Sequence, residues 1–583
     1  MIKKLIKYIG EYKKPTVLTP IFVLLESGTE ILIPLLMAKL IDNGIEVGDM
    51  GVITKYGMIL FVLALLAMFF GASAGMTASF ASAGFAKNIR QALYYKIQGF
   101  SFSSIDKFST ASLVTRLTTD TSNVQQVFQM MTRICFRAPA MLIFTLVAAF
   151  SINRELSLVF LCSMPILGVG LFILLNKVHP IFERVFKTYD RLNNVVQENL
   201  YGMRVVKSFN RQDFETKKFT DISGSIYKDF SKAEKTMAFN MPLMQFCMYA
   251  CMLILCWLGA RMIVASGNNE LFGLTCGQLL SMITYSMQIL MSLMMISMVF
   301  VFITMSRASA ERIVEVLDEE SELHNPENPV YTLENGDIDF EAVDFSYRKE
   351  SDKKVLDGVN LHIKSGQTVG ILGGTGSSKS SLVQLIPRLY DVTGGSVKVG
   401  GRDVREYDIE TLRGQVAMVL QKNVLFSGTI KENLRWGDEN ASDEELIHVC
   451  KLACAHDFIM GFDEGYDTYI DQGGTNVSGG QKQRLCIARA LLKKPKVLIL
   501  DDSTSAVDMK TDAMIRRAFR EELPNTTKII IAQRIASVQE ADVIIVMDDG
   551  KIESIGTHDE LMQSSQIYRE VYESQNKGGA GDE

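Results

Sequence analysis

The sequence predicts a multi-domain fold: an all-α domain of six transmembrane helices with long cytoplasmic helical extensions, followed by an α/β domain built around a phosphate-binding loop. Three observations predict it. Hydrophobic residues make up 48% of the 583 and the mean hydropathy is +0.14, high for a water-soluble chain. The apolar excess is concentrated in long runs in the first half, while the remainder reads as ordinary soluble α/β sequence. A glycine-rich loop, GGTGSSKSS at 373–381, stands between a strand-like run and a helical one.

A membrane-spanning helix needs about 20 mostly apolar residues. Six runs qualify, at 16–41, 56–80, 134–153, 156–178, 238–265 and 274–304. Their connections are unequal. Those at 42–55, 153–155 and 266–273 are short, and those at 81–133 and 179–237 are long. The long ones and their flanks hold cations: Lys87, Arg90, Arg116, Arg133 and Arg137, then Lys177, Arg184, Arg191, Arg204 and Arg211. The first short loop is acidic, with Asp42, Glu46 and Asp49. The excess of Lys and Arg places both long connections and both termini in the cytoplasm. The long connections read as helical continuations, and the stretches 104–120 and 201–214 are the expected contacts with a soluble domain. The start, MIKKLIKYIGEYKKP, carries no cleavage site and reads as a basic amphipathic helix on the membrane surface.

Polar residues within the spans define a second candidate site. Glu26 and Glu30 lie four apart and share a helical face. Intramembrane carboxylates are costly and face a cavity or a partner. They either meet a polar or cationic substrate, or couple to protons, or hydrogen bond to another helix. Methionines crowd the last two spans, among them Met241, Met244, Met248, Met282, Met287, Met291, Met295 and Met298. Their flexibility suits either an adaptable substrate cavity or packing and lipid contact. The nine cysteines form no CxxC pair and read as small buried hydrophobes. A net charge of −6 argues against a nucleic-acid binder.

A polar, proline-bearing linker is expected at 320–336, separating a transmembrane domain at 1–319 from a soluble domain at 337–583. In the latter, the run 369–372 reads as a buried strand leading into Gly373, Gly374, Thr375, Gly376, Ser377, Ser378, Lys379, Ser380 and Ser381, then an amphipathic helix. This is the strand, loop and helix of a P-loop NTPase. Backbone N–H groups cradle phosphates, Lys379 reaches the outer ones and Ser380 binds Mg²⁺.

The segments VSGGQKQRLCIARALL and KVLILDDSTSAVD then resemble the ATP-binding cassette (ABC) family closely. Ser478, Gly479, Gly480 and Gln481 match its signature. The run ending at Asp501 matches the Walker B strand, with Asp501 reaching Mg²⁺ through water, and Ser505, Ala506, Val507 and Asp508 match the D-loop. Tyr347 resembles the aromatic that stacks on adenine, and Gln421 resembles the Q-loop glutamine, a further Mg²⁺ contact. YGMRVVKSFNRQDF and ASAERIVEVLD in the first half resemble the exporter type. The resemblance covers nearly the whole chain. It implies ATP as substrate, Mg²⁺ as cofactor, and a second half-transporter as partner, because a signature completes the site held by the opposing phosphate loop.

The sequence departs from the family at Asp502, where the catalytic glutamate is usual, at Gln533, where the switch histidine is usual, and at Ser378, where glycine is usual. Gln472 stands where a glutamate is common before the signature. Three departures fall on the site this chain's own phosphate loop builds, while the signature is intact. The pattern resembles the degenerate subunit of a heterodimeric bacterial multidrug exporter in the cell membrane, moving hydrophobic or amphipathic small molecules. Alternatives are an active homodimer exporting drugs, lipids or peptides, and a nucleotide-binding regulatory subunit.

Overall fold

A computed structural model of the chain describes residues 2–268, 273–348, 354–502 and 506–577. The chain divides into two compact units. One comprises Met1–Gln98 with Thr110–Glu319, and the other comprises Gly99–Ser109 with Glu320–Glu583.

The first unit is built on α1 (Lys13–Leu40), α2 (Met50–Gln98), α3 (Thr121–Ile152), α4 (Arg154–Tyr201), α5 (Asn240–Ser266) and α6 (Cys276–Asp318). Among the described residues, six helical segments here are long and apolar enough to cross a membrane. Several run far beyond the apolar stretch that marked them. With 49 residues, α2 extends over about 70 Å, more than twice a hydrocarbon core. Its most apolar window is only 6% buried, and Phe61, Met68 and Phe69 are exposed. Water would not tolerate such a surface, whereas lipid solvates it.

Proline at position 34 removes the backbone donor that would meet the Glu30 carbonyl inside α1. Hydroxyls of α6 bond to carbonyls beside that gap. The Tyr285 hydroxyl donates to the Ile31 carbonyl at 2.7 Å, and the Ser281 hydroxyl donates to the Pro34 carbonyl at 2.6 Å. Around them Ile31, Phe160, Leu255, Met282 and Ile289 form a buried apolar cluster. Further along α6, Arg312 forks onto the fully buried Asp120 at 2.5 and 2.8 Å, and Arg116 pairs with Glu315 at 2.8 Å.

The first residues depart from a simple surface helix. They form a short helix, Ile2–Ile6, and a 3-10 segment, Lys7–Tyr12, kinked at Gly10. They pack on α2: Asn88 donates to the Tyr8 carbonyl at 3.0 Å, and the Tyr12 ring meets Phe80 edge-on. The cysteines are also less uniform than expected. Cys247, Cys251, Cys450 and Cys486 are buried, but Cys162 and Cys276 are exposed, one on an apolar helix and one at a helix start. Met282 is buried, while Met241, Met291 and Met298 are exposed.

The second unit has a six-stranded sheet in the order Lys551–Gly556, Val543–Asp548, Thr368–Gly373, Thr527–Ile531, Val497–Asp501, Val416–Val419. All neighbours are parallel except the first pair. Strands covered on both faces read as continuous apolar runs, and VLILD at 497–501 is buried throughout. A second sheet orders Leu356–Ile363, Ile338–Phe345, Gly394–Val399 and Arg402–Asp403. The polar stretch read as a linker is pinned to this unit. Leu333 is buried, and the Lys496 ammonium donates to the Leu333 and Glu334 carbonyls.

The two expected contact stretches behave differently. The helix Phe102–Lys107 belongs to the second unit, where Tyr390 donates to Asp106 at 2.7 Å and its ring meets Phe102. Residues 110–120 instead join the first unit through Asp120. Within 201–214, Tyr201 is 98% exposed, and Phe209 and Phe214 are also exposed.

Candidate functional site

The phosphate loop leaves the central strand Thr368–Gly373 and ends in a helix of six residues, Lys379–Gln384. Pro387 follows three residues after the helix's end and disfavours helical geometry in the residue before it. Gly376 has φ +87°, and an added Cβ at Gly374 or Gly376 would meet nothing within 4 Å. The loop therefore presents bare backbone to an open space of the kind phosphate oxygens fill. Ser378 adopts φ 70° and ψ 21°, the left-handed region that glycine occupies freely. Lys379 lies along the loop, its ammonium donating to the Gly373 and Gly374 carbonyls at 2.9 and 2.7 Å and to Ser377 Oγ at 3.2 Å. Burial pushes its pKa down, against the pull of Asp501 and Asp502.

Register between neighbouring parallel strands brings the Walker strand's end to this loop. Ser380 Oγ donates to Asp501 Oδ1 at 3.0 Å. A hydroxyl and a carboxylate side by side are a hard-oxygen donor set that fits Mg²⁺. Burial pushes the Asp501 carboxyl up, while the Ser380 bond pulls it down.

Two of the departures from the family, Asp502 and Gln533, meet in space. Gln533 Nε2 donates to Asp502 Oδ2 at 2.8 Å. Asp502 is raised by burial, and hydrogen bonds from Gln421 and Gln533 oppose that shift. Asp502 also has a positive φ of 48°. Tyr347 is half exposed, and its hydroxyl shares a hydrogen bond of 2.8 Å with Ser381 Oγ at the loop helix.

The signature opens a 14-residue helix, Gly479–Leu492. Ser478 Oγ accepts from the Gln481 N–H, and Gln481 Oε1 accepts from the Ser478 N–H at 2.9 Å. This reciprocal cap leaves the first turn rigid and its positive dipole end clear. Gly480 is required by close approach: a Cβ there would lie 2.9 Å from the Ala506 carbonyl. Asp508 caps the following helix, accepting from the Thr511 N–H at 2.9 Å, and that bond holds its carboxyl below the usual range. Ser505 lies outside the described residues. Among the described residues no hydrogen bond joins 478–481 to the phosphate loop.

Two residues escaped the sequence reading. The buried Gln483 accepts from the Ala506 N–H at 3.0 Å and ties the signature helix to the D-loop. Its place two residues past Gln481 in the same helix was the available signal. Gln575, in the last helix, donates to the Gln533 carbonyl at 2.8 Å and accepts from the Ile535 N–H at 2.9 Å. Nothing in its local sequence marks that role.

In the helical unit, Glu26 and Glu30 are gathered by Arg137. Its guanidinium reaches Glu26 at 2.5 Å and Glu30 at 2.7 and 2.9 Å. Arg137, counted above among the cations of the first long connection and its flank, lies at the start of the 134–153 run within α3, and these two carboxylates are its partners there. Glu26 is 7% exposed, and its second oxygen, Oε2, is buried without a hydrogen bond.

A family model described as ABC transporter transmembrane region matches residues 16–293, and one described as ABC transporter matches residues 356–505. The chain is 37% identical to the ABC transporter ATP-binding protein YfiB of Bacillus subtilis, covering 98% of each. It is 33% identical to an ABC transporter ATP-binding protein of Mycobacterium tuberculosis, covering 99% of each. A bacterial Atm1-family ABC exporter, solved with ATP bound, shares the fold with TM-score 0.82 at 22% identity, over 97% of this chain and 99% of that one. Fold, loop and signature together define an ATP-hydrolysing membrane transporter. The chain belongs to the ABC transporter family, and it fuses one membrane domain to one cassette in a half-transporter, with the fold of the Atm1-family exporter.

Proposed function

We propose that this chain is the degenerate-site subunit of a heterodimeric exporter of hydrophobic or amphipathic small molecules. The observation that carries this reading is the 2.8 Å bond between Gln533 and Asp502. A general base must reach the proton it abstracts, and misplacement by ~1 Å costs ~10²-fold. Asp502 is one methylene shorter than glutamate, and two amides engage its carboxylate. Gln533 carries no positive charge to place against developing phosphate charge.

In this site the loop backbone and Lys379 hold the ATP phosphates, and Tyr347 offers an exposed ring to adenine. Ser380, Asp501 and Gln421 would hold Mg²⁺, which would supply charge neutralisation at the phosphates. Asp502 takes the proton of the attacking water inefficiently. The signature at 478–481, capped and rigid, completes the partner's site, where most turnover occurs. ATP between the two cassettes favours the closed state only by binding it more tightly than the open one. Closure reaches the spans through the ends of the long connections, at 104–120 and 201–214. Both termini and the cassette lie in the cytoplasm, as the cation distribution favours.

Glu26, Glu30 and Arg137 carry a net charge of about −1 when all are ionised, which suits a cationic amphiphile. Exposed Met241, Met291 and Met298 add adaptable apolar surface.

ATP hydrolysis by the purified chain alone in lipid nanodiscs, with nucleotide binding followed in parallel, tests the reading. Binding with almost no turnover is expected. Fast turnover would make Asp502 an adequate base and the chain an active homodimer.

A further inference from the structure

Outside the nucleotide site, the helical unit holds an open groove of about 630 Å³ between α4 and the helix Gln212–Met237. Four of its lining residues are lysines: Lys177 on α4, and Lys228, Lys232 and Lys235 on the facing helix. The last three recur at helical spacing, so they share one face. The groove also has an apolar side, lined by Ile173 and Phe239, and Phe239 is 68% exposed.

The position along the chain is informative. Lys177 ends the apolar run of α4, and Phe239 precedes the apolar α5. The groove therefore lies at the level where two spans leave the hydrocarbon, with aliphatic and aromatic surface toward the bilayer and ammonium groups beyond it. Among the described residues none of the four lysines is ion-paired. The nearby Asp229 turns to Arg184 instead, at 3.9 Å. Four lysines that form no ion pair among the described residues, gathered on two facing helices, repel one another at some cost in free energy. An anion between them removes that cost.

We propose that this groove is a binding site for an anionic membrane phospholipid, its headgroup phosphate among Lys177, Lys228, Lys232 and Lys235 and its acyl chains along Ile173 and Phe239. The apolar side selects a lipid over a free anion. The lysines select an anionic lipid over a zwitterionic one, since basic groups at a bilayer surface each favour anionic lipid. The site rests on the six spans crossing a bilayer and not on the assignment of the nucleotide site. Binding of an ATP analogue, measured on the same samples, reports that other reading separately.

The full chain is reconstituted in phosphatidylcholine nanodiscs containing a minority of phosphatidylglycerol. Lipid retained on extraction is then counted by native mass spectrometry. The wild type is expected to retain phosphatidylglycerol selectively. Combined Lys228→Gln, Lys232→Gln and Lys235→Gln is expected to lower that preference by roughly 100-fold, while Lys217→Gln leaves it intact. Equal retention by the triple variant, or no selectivity in the wild type, overturns the proposal. Displacement of the lipid by inorganic phosphate alone assigns the groove to a soluble anion and overturns its lipid source. A phosphatidylglycerol with a photoreactive headgroup provides a second measurement on the unsubstituted chain. Labelling is expected within 227–239, and labelling only elsewhere overturns the site.

Discussion

Ser378 holds a backbone conformation that costs an L-residue about 1–2 kcal/mol, partly offset because glycine would lose more entropy on folding. Ser378→Gly is therefore expected to stabilise the cassette by up to about 1 kcal/mol and to tighten binding of an ATP analogue by up to about fivefold. Isothermal titration checks the second effect. Weaker binding would mean that the serine hydroxyl itself holds phosphate. Asp502 also lies in the left-handed region, where aspartate is better tolerated than glutamate. Asp502→Glu alone thus gains reach but strains the backbone, and it keeps a glutamine beside the new carboxylate. Because the two side chains touch, their substitutions should not add. Asp502→Glu with Gln533→His is expected to raise turnover at this site about tenfold or more, beyond the product of the single effects. Turnover in a pair whose partner site is disabled measures it, and no gain in a folded double variant would reject the local defect. All these residue types were legible in sequence. Their contact was not, because Asp502 and Gln533 follow different strands and meet only through parallel pairing of those strands.

At the scale of elements, Arg137 joins α1 to α3 through two carboxylates. Removing one partner of a buried ion pair leaves an uncompensated charge and costs about 3–5 kcal/mol. Arg137→Met is expected to lower the thermal unfolding midpoint of the detergent-solubilised protein, and Glu26→Gln with Glu30→Gln should restore much of the loss. An unchanged midpoint would show that the carboxylates do not depend on Arg137. The spacing of Glu26 and Glu30 marked a shared face, but the cation on the facing helix could not be read from it. Arg137 stands at the boundary between a cation-rich connection and an apolar run, and local composition gave no sign of its partners on α1. The spans themselves were plain in sequence because apolar length is a local property. Their continuation was less so: α2 keeps helical geometry through the polar sequence after its apolar run, where packing against neighbours and not hydropathy maintains it.

For the whole molecule, the intact signature and altered phosphate loop predict an asymmetric response to damage. In the assembled pair, Gly480→Ala in this chain forces a Cβ against the Ala506 carbonyl and displaces the surface offered to the partner. It should remove most ATP turnover, whereas Lys379→Ala in this chain should remove much less. Equal losses, measured as phosphate release from reconstituted pairs, would argue for two equivalent sites. Sequence alone determined the membrane domain, the cassette and the motif residues, because apolar run length and the order of glycine-rich motifs are written locally along the chain. Tertiary structure decided the partners: Gln533 on Asp502, Gln483 on the D-loop, Arg137 between Glu26 and Glu30, and four lysines facing one groove. Each of these joins separate elements, or residues far apart in the chain, and only packing sets their distance.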